Sequence, residues 1–531
     1  MYYRLCNNSV YKLNTKFILS KKNRIFVHVF QEKGDGMKNV TLCAMLLMFA
    51  MASVSVARTL KVGASYEFAS FAQAANQAAA GDTILFFDSP ITQSSYISDL
   101  RGTADLPIVI SSGTGDYILF SGGGSAFQLS NPANLHISRL AFEGQTQNGV
   151  NIDDGGDFSN PALNITFDDC KWLGMNASGN NDCLKMSGVV NFAITNCSFA
   201  DGSAGGSIID MVGCHDGIIE KNVFRNGGSN SIQAKGGTKN IQISRNLFVN
   251  GGLRALNIGG STGMEYFRPL DAPAESEEII VFSNIFFGSQ APFAYVGTRN
   301  SKVINNTIIN PDKWVIRILR ENNHAQMQFD AGNEFSNNIV YLSNAAAAPS
   351  INIGPNTLSE AYSFRNNLWY NHENFDWISP NVPVSELSSI RGIDPLFTNL
   401  ADSNLIPVQN SVIKGSAYVN NYAKYDYYGN KFGNPPSIGA IEIDASSIEE
   451  NNISQNIIIS PNPAQNSINI NYNNNSKYYI EIININGQIV IEKREIISNE
   501  NIDISHLAIG TYLLLIESGG RKIPKLFIVN R

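Results

Sequence analysis

Charge is scarce in this chain and nearly balanced in sign: 38 Lys and Arg stand against 45 Asp and Glu, 16% of 531 residues. A net charge of −7 leaves no basic footprint for nucleic acid, so an anionic partner must be met by a local cationic patch. Cysteine is sparse as well, six in all with no CxxC spacing, and the usual zinc sites are thereby removed. No run is apolar for long enough to span a bilayer near the N-terminus, where the stretch from about Leu42 to Ala52 is too short. What remains is 43% hydrophobic with 44 Gly and abundant Asn. That composition suits tight turns on a stacked β core, not a helical enzyme or a disordered chain.

One short phrase recurs nine times between residues 135 and 370: a β-rich run, then a polar or sulfur residue, then an apolar residue two positions on. The pairs are Leu140/Phe142, Cys170/Trp172, Cys197/Phe199, Asn222/Phe224, Asn246/Phe248, Asn284/Phe286, Asn306/Ile308, Asn338/Val340 and Asn367/Trp369. Spacings run from 22 residues (284 to 306) to 38 (246 to 284), a variable period typical of stacked coils. Stacking brings the Asn residues into a ladder of amides and the aromatics into an inner column. The fold expected is all-β, a right-handed parallel β-helix over 58–446 followed by a small C-terminal β-sandwich. Cys170 and Cys197 then share a column on adjacent rungs, about 5 Å apart and within disulfide reach; stacked thiols are the alternative.

The ends read differently. Met37 starts a Lys, an apolar run and a Val-Ser-Val-Ala stretch ending at Ala57, the order of an export signal. Residues 37–57 are read as a signal peptide and 1–36 as an untranslated upstream stretch. Between 58 and about 129 lie a cap and first coils, including an Ala-rich stretch from Phe71 to Ala80 with helical character. Ile393-Asp394-Pro395-Leu396-Phe397, Asp426-Tyr427-Tyr428-Gly429 and Ile438-Gly439-Ala440 read as closing coils. A linker at 447–456 precedes 457–531, where alternating apolar positions and turn signals imply the sandwich. There Ser460-Pro461-Asn462-Pro463, Gly510-Thr511-Tyr512 and the Lys-rich terminal strand 522–531 stand out. This unit resembles the type IX secretion sorting domain of Bacteroidetes. The resemblance implies export to the surface or beyond, contact with the outer-membrane secretion machinery, and removal of the domain.

Inward-facing residues align the remaining strands: Leu184/Met186, Ile209/Met211, Ile232/Ala234, Leu256/Ile258, Ala294/Val296 and Ile316/Ile318. Between them an outward column reads Lys185, Asp210, Gln233, Asn257, Tyr295 and Arg317, and a second reads Ser187, Val212, Lys235, Gly259, Gly297 and Leu319. Such a polar strip, with rungs about 4.8 Å apart, forms a groove for an extended polymer. Lys235 sits at its middle beside glycines, with Arg254 on the next strand. The insertion from Gly259 to Pro269 is the largest departure from the period and brings Tyr266 and Arg268 toward the groove.

With SIQAKGG at 231–237, residues 58–444 look like a polysaccharide lyase of the chondroitinase-B/alginate-lyase type or a related lyase family. The resemblance implies β-elimination on a uronate polymer, with Lys235 as base, Tyr295 or Tyr266 as acid, and Arg254 alongside them. Lys185, Asp210, Gln233, Asn257, Arg268 and Arg317 are the expected substrate binders, with an ion pair between Lys185 and Asp210 across one rung as the equal alternative, and cations near Lys235 are expected to depress its pKa. It also implies an arginine one rung on, where Gly259 stands, and two acidic calcium ligands whose places fall near Gly228 and Asn230. Calcium thus has no convincing ligand set, and no metal residue is assigned. Two alternatives stand beside this reading of a monomeric, secreted enzyme for anionic polysaccharide. One is a β-helix glycoside hydrolase using Asp153 and Asp210, two rungs apart and about 9–10 Å from each other. The other is a non-catalytic surface β-helix that binds glycan. N-terminal sequencing of the exported protein is expected to begin near Arg58; peptides from 1–36 refute the leader reading.

Overall fold

The computed structural model describes residues 17–19, 25–27 and 57–530, apart from 329, 401–403, 444–456, 473–477, 485–487, 498–499 and 519–520. Most of 1–57 and the linker 447–456 therefore lie outside the described residues. In the first unit, Met1–Val56, strands Phe17–Leu19 and Ile25–Val27 pair antiparallel.

The second unit begins with a parallel β-helix. Its coils pass through three parallel sheets, of 13, 11 and 10 strands, here the corner, flank and groove sheets. One coil runs Thr238–Ser244, Leu247–Val249 and Arg254–Gly259 through the three in turn. The first strand, Thr59–Val62, is capped by a short helix, Phe71–Ala75, whose N-cap Ser70 accepts from the Gln73 N–H.

The corner between the first two sheets carries the repeat phrase. The residue before each ladder residue, as in Lys221, Arg245, Ser283, Asn305, Asn337 and Asn366, is left-handed with φ of 51–58°. That turn aims the following side chain inward. Asn222, Asn246, Asn284, Asn306, Asn338 and Asn367 then stack, each amide nitrogen donating to the next carbonyl oxygen at 3.0–3.1 Å. The same oxygen also accepts the preceding rung's backbone N–H at 2.8–3.0 Å. Buried polar groups demand such pairing, so the ladder answers every amide that the corner buries. Beside it Trp172, Phe199, Phe224, Phe248 and Phe286 stack with centroids 4.5–5.1 Å apart and planes within 15°. Cys170 and Cys197 continue the ladder as free thiols: the Cys170 N–H donates to Cys197 Sγ, and the Cys197 N–H to Asn222 Oδ1.

The closing phrases do not add rungs. After the last flank-sheet strand, Ile390–Arg391, the chain runs back along the outside of that sheet, packing Ile413, Ala417, Ile438 and Ile443 on Ile339, Leu368 and Tyr370. The C-terminal unit has a three-stranded and a four-stranded antiparallel sheet around a core that includes Ile468, Ile482, Leu514 and Phe527. Replacing Asn284 by Ala strands the buried Asn246 donors and is expected to cost roughly 3 kcal/mol or more. Urea denaturation checks this; an unchanged midpoint refutes the ladder as a stabilising element.

Candidate active groove

The outer face of the groove sheet has its residues in strict register. Lys185, Asp210, Gln233 and Asn257 are consecutive Cα partners, followed by Ala294, Arg317 and Asn352. Tyr295 is not in this column. It faces inward with Phe293, fully buried, and its hydroxyl donates to Glu334 O at 2.8 Å. Either parity of Phe-Ala-Tyr-Val offers two apolar residues to the core, and the two aromatics fill it better; a one-residue slip then reverses every side chain. Tyr295 therefore cannot act as a groove acid. Ala294, Val296 and Leu319 form a small apolar cluster on the outward side instead.

Asp210 is the hub of the polar strip. Fully buried, it holds Lys185 Nζ at 2.8 Å through Oδ2 and Lys235 Nζ at 3.0 Å through Oδ1. Lys185 also contacts buried Asp182 at 3.1 Å, and Lys235 donates to Gln233 Oε1 at 3.3 Å. Burial favours the neutral form of Lys185, yet the charges of Asp210 and Asp182 outweigh it and hold its pKa above the ordinary lysine value. Asp182 moves upward, chiefly through burial and then through repulsion from Asp210. The group nearest Lys235 is thus a carboxylate, not the cation expected from sequence. Two ammoniums two rungs apart converge because one buried carboxylate requires both.

Farther along the same face, Arg254 lies between Asn257 at 3.2 Å and Glu321 at 2.6 Å. Arg317 donates to Asn352 Oδ1 at 3.0 Å and lies 4.8 Å from the Trp314 ring. Burial, and then the nearby charge of Arg254, lower the Arg317 pKa. The Glu321 carboxylate, bound to Arg254, partly offsets that repulsion. Asp153, by contrast, accepts from Gln128, Ser130, Asn151 and the Gly155 N–H at 2.7–3.0 Å and has little capacity left.

The long insertion is a strap along one side of the groove. Buried Glu275 anchors it, accepting from the Gly236 N–H, the Thr262 N–H and hydroxyl, and Asn322 at 2.7–2.9 Å. Arg268 grips buried Asp154 through Nε and Nη2 at 2.5 and 2.9 Å. Its expected substrate contact is replaced by this clamp. Tyr266 stays exposed on a single 3-10 turn. Gly188, Gly213 and Gly237 follow the groove strands at positive φ and let the strap lie close: a Cβ on Gly213 stands 2.3 Å from Arg268 Cβ. Sequence reasoning missed Asp182, Asp154, Glu275 and Trp314. The glycine column after successive strands was the readable sign of a close-lying segment.

Near the places where the resemblance puts calcium ligands stand Gly228, without a side chain, and Asn230, whose amide nitrogen donates to Ser207. Among the described residues no group of three or more His, Cys, Asp or Glu is placed to hold a metal, and we derive no step through one.

Residues 125–308 match a family model described as a right handed beta helix region, and 458–530 one described as a secretion system C-terminal sorting domain. The chain is an exported right-handed β-helix. Its sorting domain directs it by type IX secretion to the cell surface or the extracellular space. Similar solved structures include a pectate lyase (13% identity, 74% of this chain and 98% of that one, TM-score 0.46). Others are a lacto-N-biosidase from Eubacterium ramulus (12%, 66% and 68%, 0.39) and an alginate lyase (13%, 77% and 60%, 0.35). These likenesses say nothing about substrate. No curated protein matches the chain significantly.

Gly213→Ala is expected to push Arg268, and the strap that carries it, off the ends of the groove strands and to open 259–275 to limited proteolysis. Wild-type protection in that variant refutes the close-lying strap.

Proposed function

We propose that the groove cleaves a uronate-containing polysaccharide by β-elimination, with Lys235 as the base. The observation that carries this is the strip itself: in a chain of net charge −7, Lys185, Lys235, Arg254 and Arg317 share one outer face. Arg254 and Arg317 on this face support binding of the uronate carboxylate, which for Arg254 takes the place of Glu321. Neutralising that carboxylate acidifies the C5 proton. A base removes it, the electron pair forms the C4–C5 double bond, and the C4–O bond breaks as the leaving oxygen takes a proton. Lys235 acts as base only once its own proton has gone to solvent, out of the ion pair with Asp210 at 3.0 Å. Tyr266, exposed on the strap, is the remaining acid candidate.

A hydrolase is less well supported, because Asp210 is buried between two ammoniums and Asp153 is saturated with donors. A binding role draws support from one observation: Lys235 is already neutralised by Asp210.

The exported chain is to be screened against alginate, pectate, glucuronan and glycosaminoglycans, with and without EDTA, by the ultraviolet absorbance of the unsaturated product. One polymer is expected to respond, and Lys235→Ala to lose roughly 10²–10⁴-fold of the rate. Full activity in that variant sinks Lys235 as base. Reducing ends without absorbance point to hydrolysis, and retention on a polymer without product points to binding.

A further inference from the structure

A solvent-facing sheet should alternate apolar and polar residues, and the flank sheet stops doing so at Val223. Its earlier strands carry Lys171 and Ser198 next to the inward Trp172 and Phe199. From there the strands read Val223-Phe224-Arg225, Leu247-Phe248-Val249, Ile285-Phe286-Phe287 and Thr307-Ile308-Ile309. The middle residue of each faces the core, so the flanking apolar ones face outward. An outward strip of this kind has to be covered.

The sorting domain shows the complementary anomaly. Its strand Gly510–Ser518 holds the unbroken apolar run Leu513 to Ile516. Leu514 and Ile516 belong to the domain's own core. Leu513 and Leu515 join Ile483 in a cluster with Val223, Leu247, Val249, Ile285 and Ile309 of the β-helix. A sheet with apolar residues on both faces is one buried on both faces. Charge agrees with shape. Arg225, 1% exposed on the outward side of its strand, has its guanidinium 2.9 Å from Glu481 of the sorting domain. A buried guanidinium needs such a partner, and this one lies 256 residues away.

We propose that the β-helix flank is a docking site for the chain's own sorting domain, and that the domain stays bound noncovalently after the connecting segment is cut. A half-open cavity of about 350 Å³, lined by residues including Phe287, Leu400, Leu513 and Leu526, borders the contact. Release uncovers both Arg225 and the apolar strip, which gives the cut protein a reason to retain its partner. This inference is independent of what the groove does.

The test uses the full chain with a protease site placed within 447–456, cut after purification and run on gel filtration at roughly micromolar concentration. Wild-type fragments are expected to co-elute. Glu481→Arg is expected to weaken the association at least tenfold, and Arg225→Glu combined with Glu481→Arg to restore it, a rescue that misfolding cannot produce. Separation of the wild-type fragments, or a Glu481→Arg variant that co-elutes as well as wild type, overturns the proposal.

Discussion

Everything on the outside of this molecule depends on an amide that cannot be left unpaired inside it. Six successive corners, from Asn222 to Asn367, each bury an Asn side chain; five of these amides donate to the Asn of the next rung, and the last to Glu386. The ladder therefore sets rung against rung in register. Once that register is set, the outward residues of the groove sheet must also fall into columns about 4.8 Å apart. Lys185, Asp210 and Lys235 stand on rungs whose corners carry Cys170, Cys197 and Asn222, and there the parallel strand pairing itself sets the register that lets both lysines reach Asp210.

A second constraint comes from the strap. An insertion gains a fixed position on a repetitive scaffold only if something breaks the repeat for it. Here the break is double: a column without Cβ atoms, and buried carboxylates, Asp154 and Glu275, each needing partners that the insertion supplies. One side of the groove is thus walled by a segment whose position is enforced by charge satisfaction, while Tyr266 remains exposed on it.

Much of this was legible in the chain. The Asn and aromatic positions, 22 to 38 residues apart, gave the coil, its inner column and the groove strip with Lys235 at the middle. The sorting domain was readable from Ser460 to Pro463 and from Gly510 to Tyr512. Legibility failed where hydropathy was ambiguous. Phe293 to Val296 is apolar at every position, so alternation could not choose its parity, and Tyr295 was assigned outward when it faces the core. Arg268 looked like a groove cation because its acid partner lies 114 residues earlier, a distance no local pattern reports.

The amino-acid sequence by itself determined the period, the residue types at each corner, and hence the stacked β architecture, because backbone and core demands recur locally and leave a repeating mark. The pairing of Lys185 with Asp210 across one rung was already on offer in the strip; the other charge contacts only the tertiary structure decided. Asp210 between two lysines, Arg268 on Asp154 and Arg225 on Glu481 each join separate rungs or separate units. Long-range ion pairs leave no periodic trace in a sequence; they arise when packing buries a charge and brings opposite charges from other rungs within reach.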